Sequence, residues 1–183
     1  MKFAIGVGHN SEAKGMLAYN KEREYDFNIE VAQALKFKYG IPYFLRNPGI
    51  GYEHQIDNLI VQLADADIEV FMELHLNSSM PNAQGAELLL NYKQDVPEKA
   101  RMQDFVHEYC RRANERSRGI KNVRENDRGF YLLNEAKKMK MLAYIWEPCF
   151  ANWKNDGSIF VIEKKMQYID AIGQLCSKYF TSM

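Results

Sequence analysis

The sequence predicts an α/β domain built around a mainly parallel sheet, on three observations. Short apolar runs alternate with stretches of helical periodicity. Gly, Pro and Asn punctuate the boundaries between them. The length, 183 residues, suits one domain with a core that needs no disulfide or metal to hold it.

Lys2 to Val7 (KFAIGV) reads as the first strand, ended by Gly8-His9-Asn10, and Ser11 to Asn20 as a loop. Phe27, Val31 and Leu35 recur at helical spacing, so a helix is predicted over Glu24 to Tyr39, with Gly40 where a helix stops. Ile41 to Leu45 is a second strand, and Asn47-Pro48-Gly49 a turn. Ile56, Leu59, Ile60 and Leu63 make one face of a second helix. Ile68 to Leu76 (IEVFMELHL) is a third strand, followed by a polar loop over Asn77 to Gln84. Ala86 to Tyr92 is a fourth strand. A helix starting near Pro97 carries Phe105, Val106, Tyr109, Cys110 and Ala113. The charged stretch from Arg116 to Arg128 reads as irregular, and Phe130 to Leu133 as a short strand. Met141 to Trp146 (MLAYIW) is a strand that delivers Glu147. A last helix is expected from about Ser158 to Phe180, with Ile159, Ile162, Met166, Ile169, Ile172 and Leu175 inward. No linker or repeat interrupts the pattern, so residues 1–183 read as one domain with no separate binding domain.

Composition narrows the function classes. Lys and Arg total 24, as do Asp and Glu, so no general electrostatic grip on nucleic acid or anionic lipid is expected. The short run 137-KKMK-140 reads as a solvated turn or helix end. Cys110, Cys149 and Cys176 lie far apart and form no CxxC, which suggests neither a disulfide framework nor a cysteine metal site. The opening MKFAIGVGHN has too short an apolar stretch for a signal peptide, and no run approaches the ~18 apolar residues of a membrane span. Synthesis in the cytoplasm, in a reducing compartment and without membrane insertion, is therefore expected.

In open α/β sheets, ligands bind beyond the carboxyl ends of the strands. His9, His75 and Glu147 each stand at such an end. If their strands run parallel, the three meet at one edge of the domain. The plain alternatives are a loop histidine that caps backbone, a buried histidine satisfied by hydrogen bonds, and a capping or ion-paired acid. His54 and His107 lie off the apolar faces of their helices and read as surface residues. A solvated charge run is the default for 21-KEREYD-26, and periodicity does not choose among Glu22, Glu24 and Asp26. Hydrolytic zinc sites take three ligands from His, Asp or Glu and leave a position open. Bound zinc lowers the pKa of water toward ~7, and a nearby carboxylate can shuttle the proton.

The order of these motifs resembles the zinc-dependent N-acetylmuramoyl-L-alanine amidases, the family of bacterial cell-wall amidases and many phage endolysins. The resemblance spans nearly the whole chain. It rests on Gly8-His9, 23-REYDFNIEVA-32, Ala66-Asp67 with 74-LHLN-77, 85-GAE-87, 118-RG-119, 129-GFYLL-133 and 147-EPCFAN-152. The family's register selects Glu24 over Glu22. Val7 stands where the family often has proline, and 10-NSEAKG-15 lacks the usual run of glycines. The resemblance implies a three-layer domain with a six-stranded mixed sheet. It implies zinc held by His9, Glu24 and His75, and hydrolysis of the bond between the lactyl group of N-acetylmuramic acid and L-alanine in peptidoglycan. Glu147 is assigned as the general base, while Glu87 and Asn77 are candidates for contacting substrate or orienting a ligand.

Three other readings stand beside this one. A zinc peptidase would shorten the stem peptide rather than free it from glycan. A catalytically silent wall-binding module would lack a ligand or Glu147. An intracellular α/β domain with chance histidines would hold no metal. The missing export signal points to a phage or prophage lysin released by a separate membrane-permeabilising protein, with a host amidase as the second choice.

Overall fold

The computed structural model describes residues 1–49, 51–78, 83–154, 156, 159 and 162–181. The strands are β1 (Phe3–Val7), β2 (Tyr43–Leu45), β3 (Val70–Leu74), β4 (Ala86–Asn91), β5 (Ser117–Val123) and β6 (Leu142–Glu147). The helices are α1 (Glu24–Tyr39), α2 (Tyr52–Asp65), α3 (Val96–Ala113), α4 (Phe130–Lys138) and α5 (Ile162–Cys176), which continues as a π-helical turn over Ser177–Thr181. The six strands form one sheet in the order β2-β1-β3-β6-β4-β5. Neighbours pair in parallel except β4 and β6, which are antiparallel. This is the mixed, mostly parallel sheet that the sequence predicts.

Strand alternation sorts the apolar residues into two layers. Ile5, Met72, Leu88 and Trp146 face one side, where they pack with Phe27 and Leu35 of α1, Phe105 and Tyr109 of α3, and Ile172 and Leu175 of α5. Ala4, Phe71 and Ile145 face the other, against Ile56 and Leu63 of α2 and Leu132 and Ala136 of α4. Cys110, Cys149 and Cys176 are buried free thiols. No helix among the described residues is long and apolar enough to cross a membrane.

Local chemistry sets the helix ends. Gly40 closes α1 in the left-handed conformation, its N–H donating to Lys36 O. Asp95 caps α3 by accepting from the Glu98 N–H, and Pro97 occupies the first turn, where a missing N–H costs nothing.

Three expectations are corrected. The segment read as irregular holds β5. It is an edge strand with one neighbour, so Arg118 and Lys121 reach solvent, and only Ile120 and Val123 carry the strand signal. Phe130 to Leu133 opens α4 rather than forming a strand, and Leu132, Leu133 and Ala136 are its buried positions. A short apolar run does not distinguish the two by period alone. Met166 is exposed, because the inward stripe of α5 passes through Tyr168 instead. Ser158 and the side chain of Ile162 lie outside the described residues, as do positions 79–82 of the polar loop.

The C-terminal turn is held to α3 through Glu108, which accepts from Lys178 Nζ at 2.6 Å, Arg112 Nη2 at 2.6 Å and Tyr179 OH at 3.2 Å. The Lys178 hydrogen bond is the main cause that lowers the Glu108 carboxyl to about 2, against the upward pull of burial. A carboxyl depressed on folding stabilises fully above its unfolded pKa, and the gain is lost as pH falls through the folded value. Glu108→Gln should therefore lower the melting temperature at pH 7 by roughly 1–3 °C. The difference should vanish on acidification toward pH 2, as followed by circular dichroism.

Candidate functional site

The site is assembled by register. In the parallel ladder β1–β3–β6, Val7 is level with Leu74, and Leu74 with Trp146. His9 stands two residues beyond β1, His75 one residue beyond β3, and Glu147 ends β6. The His75 N–H donates to Trp146 O at 2.9 Å, which continues the ladder past the strand. The three strand ends therefore reach one edge, as the sequence requires if the strands are parallel. His54 and His107 are exposed on α2 and α3.

Glu24 enters from the first turn of α1, which Asn28 ties to β3 by donating to Leu74 O at 3.1 Å. Both Glu24 oxygens are fixed. Oε1 accepts from the Leu76 N–H at 2.9 Å and from His75 Nδ1 at 3.0 Å, and Oε2 accepts from the Met16 N–H at 3.1 Å. The neighbouring acids go elsewhere: Glu22 pairs with Lys165 at 3.2 Å, and Asp26 with Lys14 at 2.8 Å. The structure thus separates three acids that periodicity could not.

His9, Glu24 and His75 offer ligand atoms that all lie within 4.8 Å of one another. His9 takes a left-handed backbone, φ 68°, which is uncommon outside glycine but more frequent for His than for most residues. Its Nε2 is buried 3.1 Å from Glu24 Oε2, off the line of a hydrogen bond, and has no hydrogen-bond partner. Buried polar atoms are almost always satisfied, so an imidazole nitrogen without a hydrogen-bond partner beside a carboxylate fits the role of a metal ligand. Gly15, at φ 72°, leaves the space: a Cβ there would stand 2.5 Å from Glu24 Oε2 and 2.7 Å from His9 Nε2. Two imidazoles and one carboxylate are the donor set of an open catalytic zinc site.

The electrostatics separate the two site glutamates. Burial pushes the Glu24 carboxyl up, but the His75 hydrogen bond and the nearby His9 ring outweigh it and hold the group well below the usual range. His75, penalised by burial, is nevertheless raised to about 9 by its bonds to Glu24 and Glu73. Glu147 is raised to about 7, mainly by burial. His75 and Arg128 pull it down, while Glu87 and Glu24 push it up.

Glu147 lines a cleft of about 400 Å³ together with His9, His75, Asn77, Arg46 and Arg128. Glu87, level with Glu147 across the antiparallel ladder, accepts from Asn77 Nδ2 at 2.7 Å and from Arg118 Nε at 2.6 Å. Glu87 and Asn77, the predicted accessory residues, thus engage each other, and Asn77 lines the cleft. In the sequence Arg118 stands out only through its Arg-Gly motif, and Glu73 and Arg46 do not stand out as site residues. Glu73 is fully buried, accepts from Arg46 Nε at 2.8 Å and lies 2.9 Å from His75 Nε2. The signal was a lone acid inside the otherwise apolar VFMEL.

The family model described as N-acetylmuramoyl-L-alanine amidase matches residues 4–174. An N-acetylmuramoyl-L-alanine amidase from Clostridium difficile 630 superposes with a TM-score of 0.78 at 20% identity, covering 98% of this chain and 97% of that one. The catalytic domain of the amidase CwlV from Bacillus (Paenibacillus) polymyxa var. colistinus gives 0.76 at 16% identity, with 100% of each chain covered. The catalytic domain of the CD27L endolysin targeting Clostridia difficile gives 0.65 at 20% identity, covering 99% of this chain and 97% of that one. No curated protein matches the sequence. The structural likenesses, all at low identity, establish a shared fold, and the family match extends over nearly the whole chain, including every strand end that bears a site residue: the protein belongs to the N-acetylmuramoyl-L-alanine amidase family.

Proposed function

We propose that this chain hydrolyses the amide bond between the lactyl group of N-acetylmuramic acid and L-alanine in peptidoglycan, with zinc held by His9, Glu24 and His75. One observation carries the reading. Three ligand atoms converge within 4.8 Å beside the strand ends, and the cleft there is lined by a glutamate that is not one of the three. The family match gives the substrate class. Zinc, when bound, supplies Lewis acidity toward the amide carbonyl and the attacking water.

The chain's own residues do the rest. Glu147, with its pKa raised to about 7 in the metal-free protein, is suited to hold the proton taken from water and deliver it to the leaving amine of L-alanine. Glu24, held ionised, keeps a negative charge between the two imidazoles. Glu87 fixes Asn77 at the edge of the cleft, where its amide can meet the substrate backbone.

The deciding experiment is mass spectrometry of purified peptidoglycan digested by the zinc-loaded protein. Intact stem peptides freed from glycan support an amidase, shortened peptides a zinc peptidase, and no product a silent wall-binding module. Glu147→Gln should keep its zinc and lose roughly 100-fold or more in rate, the scale of a lost general base. A variant that cleaves at the normal rate would end the proposed role.

Glu24→Ala should abolish activity and weaken metal binding, while Glu22→Ala, which removes contacts to Lys165 and Asn20 and none to the ligand cluster, should do neither. The reverse outcome in metal analysis would overturn the ligand assignment. Gly15→Ala should leave a folded protein that retains little zinc. The added Cβ strikes Glu24 and His9, and the left-handed backbone is strained for alanine. Full zinc content in that variant would count against the site.

A further inference from the structure

The buried ion pair behind His75 is a separate device. Glu73 and His75 lie two residues apart, so strand alternation puts them on one face of β3. Arg46 follows β2, and β1 lies between β2 and β3 in the sheet. Gly6 of β1 is level with Glu73. A Cβ at Gly6 would stand 3.1 Å from Glu73 Cγ and 2.2 Å from Phe71 Cζ. The bare backbone at Gly6 leaves room on this face for a side chain from beyond β2 to reach β3. Arg46 does so, with its Nε donating to Glu73 Oε1 at 2.8 Å and its Nη2 donating to Glu73 Oε2. The same Oε2 lies 2.9 Å from His75 Nε2.

The geometry points to Glu73 as a positioning residue for the metal centre: clamped by Arg46, it accepts the His75 Nε2 proton and turns Nδ1 toward the ligand cluster. This inference rests on His75 being a metal ligand. A hydrogen bond at one imidazole nitrogen fixes the tautomer and ring angle, and a carboxylate partner makes the other nitrogen a stronger donor. Arg46 has a matching part. Its two donors hold both oxygens of Glu73, so the carboxylate cannot swing away from the ring.

Stability alone explains the pair poorly. Glu73 is fully buried and Arg46 nearly so. Taking two charges out of water is costly, and well-packed apolar residues often replace such a pair with no loss of stability. That contrast supplies the test. In the double variant Glu73→Leu with Arg46→Met, the metal-free protein should melt no lower than the parent, yet its zinc affinity, read by chelator competition, should fall about 10–100-fold. Glu73→Gln keeps the shape and a neutral acceptor, and should lose about 10-fold. In the zinc-loaded parent, nitrogen-15 NMR should show a slowly exchanging proton on His75 Nε2. In the double variant that proton should exchange freely.

Parent-like zinc affinity in the double variant would overturn the inference. If that variant does not fold, parent-like affinity in Glu73→Gln would do the same. His75→Ala is the control. If it retains full zinc, the ligand set is wrong. If it loses zinc while the Glu73 variants keep theirs, the ligand set stands and the positioning role falls.

Discussion

Everything at this site depends on keeping one carboxylate ionised where water is scarce. Glu24 is buried, and an isolated buried carboxylate would take up a proton. It is held charged by the Leu76 and Met16 amides, the His75 ring and the nearby His9. Those partners come from three separate segments, so one charge fixes the first turn of α1, the loop before it and the ends of β1 and β3. The coupling is mutual: the same carboxylate, with Glu73, raises His75 against the pull of burial. The same negative centre is what a divalent ion would meet.

Glu147 shows how the same side chain takes the opposite character a short distance away. It has no compact set of donors, and burial dominates, so its proton is held to about 7. Two glutamates driven apart by their surroundings divide the labour: one suits a permanent negative charge, the other proton exchange near neutrality. Neither property belongs to glutamate as such. Both follow from what stands at the ends of β3 and β6.

Much of this is legible in the sequence because apolar runs encode strand ends, and His9, His75 and Glu147 follow such runs directly. Glu24 is not legible from periodicity, since Glu22 and Asp26 share its neighbourhood. Only the family's register chooses it, and the fold supplies the reason by giving the other two acids lysine partners of their own. Arg46 and Glu73 escape because their contact crosses an intervening strand, and no local pattern records a contact made over a glycine of that strand. β5 escapes because an edge strand has one neighbour and tolerates charge, which erases the alternation that marks an interior strand. α4 begins with four apolar-looking residues whose helical period emerges only at Ala136.

The strand order also bears on when the site can exist during folding. β2-β1-β3 and β4-β5 are two separate ladders, and β6 alone joins them, wedged between β3 and β4. β6 follows β3 in the chain by roughly seventy residues, a non-local pairing of the slow-forming kind. A nascent chain that ends before Leu142 carries every proposed metal ligand but has neither Glu147 nor the strand that closes the sheet. β6, the last of the six strands in chain order, is thus the one that unites the sheet and delivers the proposed base, which couples the assembly of the site to closure of the sheet.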